Sequence, residues 1–213
     1  MLKLLRRAIF LILVFPLVAC ADSDRFQEDD HYVKLSKSVA TSNADKIEVL
    51  ELFWYGCPHC YSLEPTLNAW AAKLPSDVQF ERMPGFMASS WEAHGRAYYT
   101  AEVLGVVEQT HEALFTAIHM YKQRLSNQAA LSAFYASHGV DEARFNKVFT
   151  SFAVQSKINQ AKAKQRDYRA SGVPAIIVNG KYRVSTTMKA GTQGMFEVID
   201  FLIAKERALM PKS

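Results

Sequence analysis

The sequence CPHC, residues 57–60, places two cysteines with two residues between them. Thiols at this spacing can ligate a metal, close a structural disulfide, or exchange electrons with other thiols. A structural zinc site normally needs four ligands, and the chain has no second pair of this kind. A four-residue ring removes little chain entropy, so a stabilising disulfide is a poor explanation. Thiol exchange is therefore the favoured chemistry, and we expect neither a metal nor another cofactor.

The histidines do not change this interpretation. His94, His111, His119 and His138 are scattered through predicted helices without a ligand-like spacing. We interpret each as a surface or capping residue.

The cysteine pair lies between a predicted strand and a predicted helix. IEVLELFWY, residues 47–55, is almost continuously apolar, as is typical of a strand buried on both faces. Gly56 ends it, and residues 57–74 show the apolar spacing of a helix. Pro58 falls at the first helical position, where its missing N–H has no cost. We therefore predict that Cys57 occupies the N-cap.

This position predicts the reactivity of the two thiols. The Cys57 sulfur can accept from the backbone N–H groups of His59 and Cys60, and the helix dipole favours the thiolate. A protonated His59 would add a positive charge beside it, so we expect Cys57 to be largely thiolate at neutral pH. Because a stabilised thiolate favours the dithiol form, the disulfide becomes a stronger oxidant. Cys60, one turn into the helix and facing inward, is the expected resolving thiol.

The rest of the chain predicts one α/β unit interrupted by helices. A short edge strand, YVKLSK, precedes the apolar run, and VQFERM follows the first helix as a strand. Residues 86–139 have helical patterning, and one long helix, with a bend allowed, is predicted from Asp141 to Gly172. VPAIIV and KYRVS form a hairpin around Asn179-Gly180, and a final helix covers residues 193–209.

The N-terminus predicts export from the cytoplasm. Lys3, Arg6 and Arg7 precede the apolar segment at residues 8–18, which is too short for a permanent membrane span. We predict a signal peptide over residues 1–20 and a tether over 21–31. Two cleavage sites compete. LVAC resembles a lipobox and would leave a lipidated Cys20 as the first residue, whereas ACA fits ordinary signal peptidase and would remove Cys20.

Charge excludes a nucleic-acid partner. The formal net charge is +4, but the first 20 residues hold three of the 25 basic residues and no acid. The remainder therefore carries 22 basic against 21 acidic residues, and no run of Lys and Arg forms a binding patch.

LELFWYGCPHCYSLEP, together with SGVPAIIVNGKYRV, resembles the DsbA family of periplasmic thiol oxidases, members of the thioredoxin superfamily. The resemblance extends from about Tyr32 to Lys205. It implies an α/β, thioredoxin-like fold with an inserted all-helical domain. The expected boundaries are residues 32–84 and 160–213 for the thioredoxin-like domain and 85–159 for the helical insertion.

The resemblance also implies roles for particular residues. Cys57 is the expected nucleophile, Cys60 the resolving cysteine, and Pro58-His59 the dipeptide that tunes the redox potential. Val173-Pro174 resembles the cis-proline loop of the superfamily, in which the backbone of Val173 pairs with an extended substrate.

Two glutamates receive different interpretations. Glu51 lies in an otherwise apolar strand. The resemblance suggests a partly buried carboxylate that assists proton movement, while the alternative is a strand-end residue in solvent. Either way, a neighbouring negative charge opposes the Cys57 thiolate and cannot cause a low pKa. Glu64, one turn beyond Cys60, is predicted to be a solvated helix residue.

These observations predict a periplasmic oxidoreductase that introduces disulfide bonds into reduced, unfolded exported proteins. The resemblance implies reoxidation by a DsbB-type membrane quinone reductase. A disulfide reductase or isomerase is one alternative. Since an isomerase usually needs two active sites per assembly and no dimerisation segment is visible, we expect a monomer. The other alternative is a lipid-anchored peptide-binding module without redox activity.

Overall fold

The computed structural model describes residues 25–210. The predicted signal peptide, Cys20 and the start of the predicted tether lie outside these residues. From Phe26 onward the chain contacts the body of the protein, since the Phe26 ring packs edge-on against Phe201.

A five-stranded mixed sheet forms the centre of the fold. Its strand order is β1-β5-β4-β2-β3, with β2 and β3 parallel and the other neighbours antiparallel. The strands are β1 Val33–Lys34, β2 Ile47–Phe53, β3 Val78–Pro84, β4 Ala175–Val178 and β5 Tyr182–Ser185. The predicted edge strand is confirmed, because β1 is the outermost strand beside β5.

Seven α-helices surround this sheet in the part of the chain that the structure describes. They are α1 Pro58–Ala71, α2 Glu92–Leu104, α3 Val107–His119, α4 Gln128–Ser137, α5 Glu142–Phe149, α6 Phe152–Asp167 and α7 Gly191–Leu209. A short 3-10 turn, Ser89–Trp91, precedes α2. Helices α2 to α6 all lie between β3 and β4 in sequence, so the predicted interruption by helices is confirmed. Between residues 25 and 210 no helix has the length and apolar character needed to cross a membrane.

The long helix predicted from Asp141 to Gly172 is wrong. It is divided into α5 and α6, because the Ser151 side chain accepts from the Val154 backbone N–H and starts a second helix. Helix α6 then ends at Asp167. The hairpin turn is confirmed. Asn179 and Gly180 have φ values of 50° and 61°, the left-handed region that a tight two-residue turn requires.

Strand β2 is buried at every position because both faces of the sheet are covered. Up to Leu52 its residues alternate between two cores, as the pleat requires. Leu50 and Leu52 belong to the core under the inserted helices, whereas Ile47 and Val49 belong to the core against α1 and α7. The carboxyl end of β2 is thereby held rigidly where α1 begins.

Candidate active site

A tight turn joins β2 to α1 and carries the cysteine pair. The Cys57 N–H donates to the Trp54 carbonyl at 2.9 Å, and the Trp54 indole folds over Gly56, where a Cβ would collide with the ring. Trp54 also stacks on Trp91, with ring centroids 4.5 Å apart and planes 4° from parallel. The turn therefore presents a partly buried aromatic surface beside Cys57.

Cys57 is the N-cap of α1, with Pro58 at its first position. The Cys60 backbone N–H donates to the Cys57 sulfur at 3.4 Å. The pKa of Cys57 falls to about 6, mainly because the Cys60 thiol donates a hydrogen bond to it, with further lowering by the backbone N–H groups of Cys60 and His59. Burial opposes this shift, and the charge of His59 contributes least. Cys57 is therefore mostly thiolate at pH 7.

Cys60 has the opposite character. It is fully buried, while Cys57 keeps 7% of its surface exposed. Burial raises the pKa of the Cys60 thiol strongly, and its hydrogen bond to Cys57 and the charges of Cys57 and Glu51 raise it further. Both thiols are free in the structure. One sulfur is thus accessible and ionised, while the other is enclosed and protonated.

The loop before β4 faces this pair. The Val173-Pro174 bond is cis, and the Cys57 thiol lies 3.5 Å from the Val173 carbonyl oxygen. Within residues 25–210 the Val173 N–H has no acceptor. A backbone donor beside a reactive sulfur can pair with an extended chain.

Glu51 lies beneath the pair and is completely buried. Of its two interpretations, the structure therefore selects the buried carboxyl. Arg82, its partner in the β2–β3 register, donates from Nε to Glu51 Oε2 at 3.1 Å. Oε1 has no hydrogen-bond partner among the described residues. Burial raises the pKa of Glu51 to about 8, and the charge of Glu64 adds to this, so the carboxyl is mostly protonated at pH 7.

The prediction of a solvated Glu64 is wrong, because this residue is only 3% exposed. Its carboxylate accepts from Arg82 Nη2 at 3.3 Å and from Asn68 Nδ2 at 3.2 Å. Burial acts to raise the pKa of Glu64, but the hydrogen bond with His111 and the charge of Arg82 outweigh it and lower the pKa. Glu64 turns inward because α3 packs against this side of α1.

His111 extends this buried network to Tyr55. His111 Nε2 lies 3.4 Å from Glu64 Oε1, and Nδ1 lies 2.8 Å from the Tyr55 hydroxyl oxygen. Burial lowers the pKa of His111, which favours the neutral ring. A neutral ring that donates from Nε2 to the carboxylate leaves Nδ1 to accept from the Tyr55 O–H. This network connects the inserted helices to the cysteine turn.

The four histidines predicted to be surface or capping residues have different environments. His94 and His111 are buried, so the surface interpretation is wrong for both. His94 Nε2 donates to the Leu125 carbonyl at 2.9 Å, and His119 Nε2 donates to the Tyr55 carbonyl at 2.8 Å. His138 does cap a helix, since its Nδ1 lies 2.8 Å from the Phe134 carbonyl near the end of α4.

Sequence reasoning missed Arg82, Tyr55 and His111. Arg82 had a signal, because it is the cation of the strand that follows the acid-bearing strand β2. Tyr55 and His111 had none, because 56 residues separate them. Across residues 25–210 no cluster of three or more potential ligands could hold a metal ion.

Comparisons with known proteins agree with this geometry. The model of the DSBA-like thioredoxin domain matches residues 67–202, which begin just after the cysteine pair. The thiol:disulfide interchange protein DsbA of Pseudomonas aeruginosa is 41% identical over 192 residues, or 90% of this chain and 91% of the relative. The protein of the same name from Pseudomonas syringae pv. tomato is 44% identical over 87% of each chain.

The chain belongs to the DsbA family. Solved structures of family members share its fold. The crystal structure of Pseudomonas aeruginosa DsbA has a TM-score of 0.84 at 41% identity, over 88% of this chain and 97% of that one. Oxidoreductase DsbA from Xylella fastidiosa has a TM-score of 0.79 at 35% identity, over 84% and 96%. The predicted thioredoxin-like α/β fold is confirmed.

Proposed function

We propose that this protein is a periplasmic thiol:disulfide oxidoreductase that introduces disulfide bonds into exported polypeptides through a Cys57–Cys60 disulfide. The observation that carries the proposal is the contrast between the two sulfurs. Cys57 keeps a small exposed surface and is stabilised as a thiolate, whereas Cys60 is fully buried and held as a thiol. Family membership supports the same reaction.

In the first step a substrate thiolate attacks Cys57, the more accessible sulfur of the disulfide. A bond forms between the substrate sulfur and Cys57, and the Cys57–Cys60 bond breaks with its electron pair on Cys60. Because Cys60 strongly disfavours the thiolate, it must take up a proton as it leaves. Glu51 is the buried acid that influences Cys60 and is mostly protonated at pH 7, so we assign it as the proton donor.

In the second step another substrate thiolate attacks the substrate sulfur of the mixed disulfide. Cys57 is released as a thiolate, which its low pKa favours, and the substrate leaves oxidised by two electrons. Cys60 competes poorly for this step because it remains protonated. The pair of sulfurs therefore favours oxidation of the substrate over its reduction.

Val173 positions the substrate in this proposal. Its free N–H and the nearby carbonyl can pair with an extended substrate backbone beside Cys57. Pro58 and His59 tune the potential chiefly through the helix start, since Pro58 sets the first turn and the His59 backbone N–H stabilises the thiolate. We also propose the division into residues 32–84 and 160–213, interrupted by a helical domain at 85–159.

The partners are proposed from the same chemistry. The substrates are reduced, unfolded exported proteins, and the resulting dithiol must be reoxidised, for which we propose a DsbB-type membrane quinone reductase. We propose that the protein acts as a monomer, anchored to the membrane by a lipidated Cys20. Globomycin-sensitive processing and a lipid mass on Cys20 test the anchor, whereas an unmodified mature chain starting at Asp22 would remove it.

Oxidative refolding of a reduced secreted protein tests the function. We expect oxidised enzyme to restore activity to the substrate and the Cys57→Ser variant to lose this effect completely. The Cys60→Ser variant should instead accumulate a mixed disulfide on Cys57. Refolding that persists in the Cys57→Ser variant would contradict the proposal.

A further inference from the structure

A basic cavity lies on the outer edge of the sheet, away from the buried acid network. Its volume is about 530 Å³, and its lining includes four cations and one acid, Asp167. We call the four cations the basic edge: Lys37, Lys164, Arg166 and Arg169. None of them has a carboxylate within 4.0 Å among residues 25–210.

Some other cations of the fold, including one on the same helix, do have a carboxylate partner. Lys162, on the same helix as Lys164, pairs with Glu92 at 2.9 Å, and Lys157 pairs with Glu102 at 2.9 Å. Four cations around one cavity that holds a single acid leave a net positive charge, which attracts an anionic group from solution.

The backbone beside the basic edge indicates what kind of anion fits. Leu35 donates to the Lys181 carbonyl at 2.8 Å and Val39 to the Gly180 carbonyl at 2.9 Å. Between these two bonds, the exposed residues 36–38 have backbone N–H groups without an acceptor in the described part of the chain. They form a bend that follows β1, the outermost strand of the sheet. Unpaired backbone groups at a sheet edge favour another polypeptide rather than a small ion.

The basic edge is also close to the site of thiol exchange. Arg169 precedes Val173 by four residues, so their backbones are at most about 14 Å apart. The Arg183 guanidinium donates to the Arg169 carbonyl. Arg183 in turn lines a second cavity of about 310 Å³ together with Gly172, Val173 and Pro174. The two cavities therefore meet at Arg169 and Arg183.

We propose that the basic edge binds an acidic segment of the substrate polypeptide, located within about five residues of the reacting cysteine. The inference rests on the proposed function and adds a substrate class to it. Exported chains with carboxylates near a cysteine are captured at the basic edge while their thiol reaches Cys57. The attraction is electrostatic and exposed, so it weakens with salt.

Matched peptides test this proposal. Each contains a single cysteine, with Glu-Asp-Glu or Gln-Asn-Gln three to five residues away, on its N-terminal or C-terminal side. In a stopped-flow experiment the peptide thiol attacks Cys57 of the oxidised mature protein, and a second peptide molecule in excess completes the reduction; the fluorescence of Trp54 and Trp91 beside the site follows the reaction. In 50 mM salt we expect the acidic peptide of one orientation to react about threefold to tenfold faster than its neutral counterpart. In 500 mM salt the ratio should approach one.

Charge-reversal variants test whether the preference for acidic peptides arises at the basic edge. In the Lys37→Glu/Arg169→Glu variant the ratio of acidic to neutral rates should fall to one or below. The control is Arg144→Glu/Lys147→Glu, which reverses an exposed arginine and lysine on α5 and should leave the ratio unchanged. An equal loss in both variants would mean that only the overall charge matters and would overturn the proposal.

The remaining outcomes are also distinguishable. If neither peptide reduces the enzyme, the proposed function itself fails. If both react equally fast in 50 mM salt, only the acidic substrate class is wrong. If phosphatidylglycerol vesicles or inorganic phosphate bind in a manner that requires Lys37 and Arg169 while the peptides show no preference, the basic edge is a headgroup or phosphate site, and the proposal is overturned.

Discussion

The two sides of the first turn of α1 each carry a cysteine, but the two thiols differ in burial, in hydrogen bonding and in pKa. On the outer side, Cys57 meets backbone N–H groups and the Val173 loop, and its pKa falls to about 6. On the inner side, Cys60 meets apolar core and the buried Glu51, and its pKa rises. Only two residues lie between the two cysteines. The contrast shows that exposure and hydrogen bonding, rather than sequence distance, determine how a thiol reacts.

The largest expected effect is the difference in alkylation between the two cysteines. At pH 7 iodoacetamide should modify Cys57 of the reduced protein at least about a thousandfold faster than Cys60, since only Cys57 is both ionised and accessible. Peptide mass spectrometry of timed samples measures both rates. In the Cys57→Ser variant, Cys60 should react only after unfolding. Similar rates in the native protein would contradict the contrast.

The second expectation concerns pH and stability. The pKa of Cys57 falls from an ordinary value of 9.0 to about 6 on folding, so the unfolded thiol holds its proton at pH values where the folded one has lost it. The resulting stability is present above about pH 9 and is lost as pH falls through 6. Its size is roughly 2 kcal/mol after allowance for screening by nearby solvent.

Chemical denaturation of reduced and oxidised protein between pH 5 and 9 measures this contribution of Cys57 to the free energy of unfolding. The stability of the reduced form relative to the oxidised form should rise with pH across that window. Absorbance of the thiolate at 240 nm should titrate with a midpoint near pH 6. A midpoint near 9 would remove the basis of the oxidant proposal.

The Glu51→Gln variant tests whether the buried carboxyl beside Cys60 donates a proton during disulfide exchange. The amide cannot donate a proton to the departing Cys60, so reduction of the enzyme disulfide at pH 7 should slow about tenfold. The matched control is Glu206→Gln. Glu206 is another buried carboxylate, but it lies at the opposite end of the sheet with Lys181 at 2.6 Å, and its replacement should leave the rate unchanged.

Glu51→Gln also has a stability signature. Because the folded pKa of Glu51 is raised, the wild-type protein loses stability as pH rises from about 4.5 through 8. The variant should lack this part of the decline. An unchanged pH profile would mean that Glu51 titrates normally and does not serve as the buried acid.

The smallest effect is expected at His59. Its charge is the last of the causes that lower the pKa of Cys57, whereas its backbone N–H ranks above it. His59→Ala should therefore raise the midpoint of the Cys57 titration by less than about half a pH unit. His59→Pro, which also removes the N–H at a position where helices tolerate proline, should raise it more. A larger shift in the alanine variant would assign the tuning to the imidazole.

Much of the outer side could be predicted from sequence because its determinants are local. An apolar run, a glycine and the Pro58 start signal place Cys57 at a helix N-terminus, and the backbone of that helix supplies the hydrogen bonds. The hairpin at Asn179 likewise follows from two adjacent residues. The break between α5 and α6 was missed, although Ser151 is a capping residue, because periodicity alone continued through it.

Sequence alone therefore determined the order of the strands and of most helices, and the polarity of the turn that carries Cys57. It could not determine the inner side, where Glu64 and His111 are buried and Arg82 is shared between two carboxylates. These contacts join residues from β2, β3, α1 and α3, and the pKa of each group depends on water excluded by all four elements together. The local sequence encodes which titratable side chains are present, but only tertiary packing decides which of them are buried away from water.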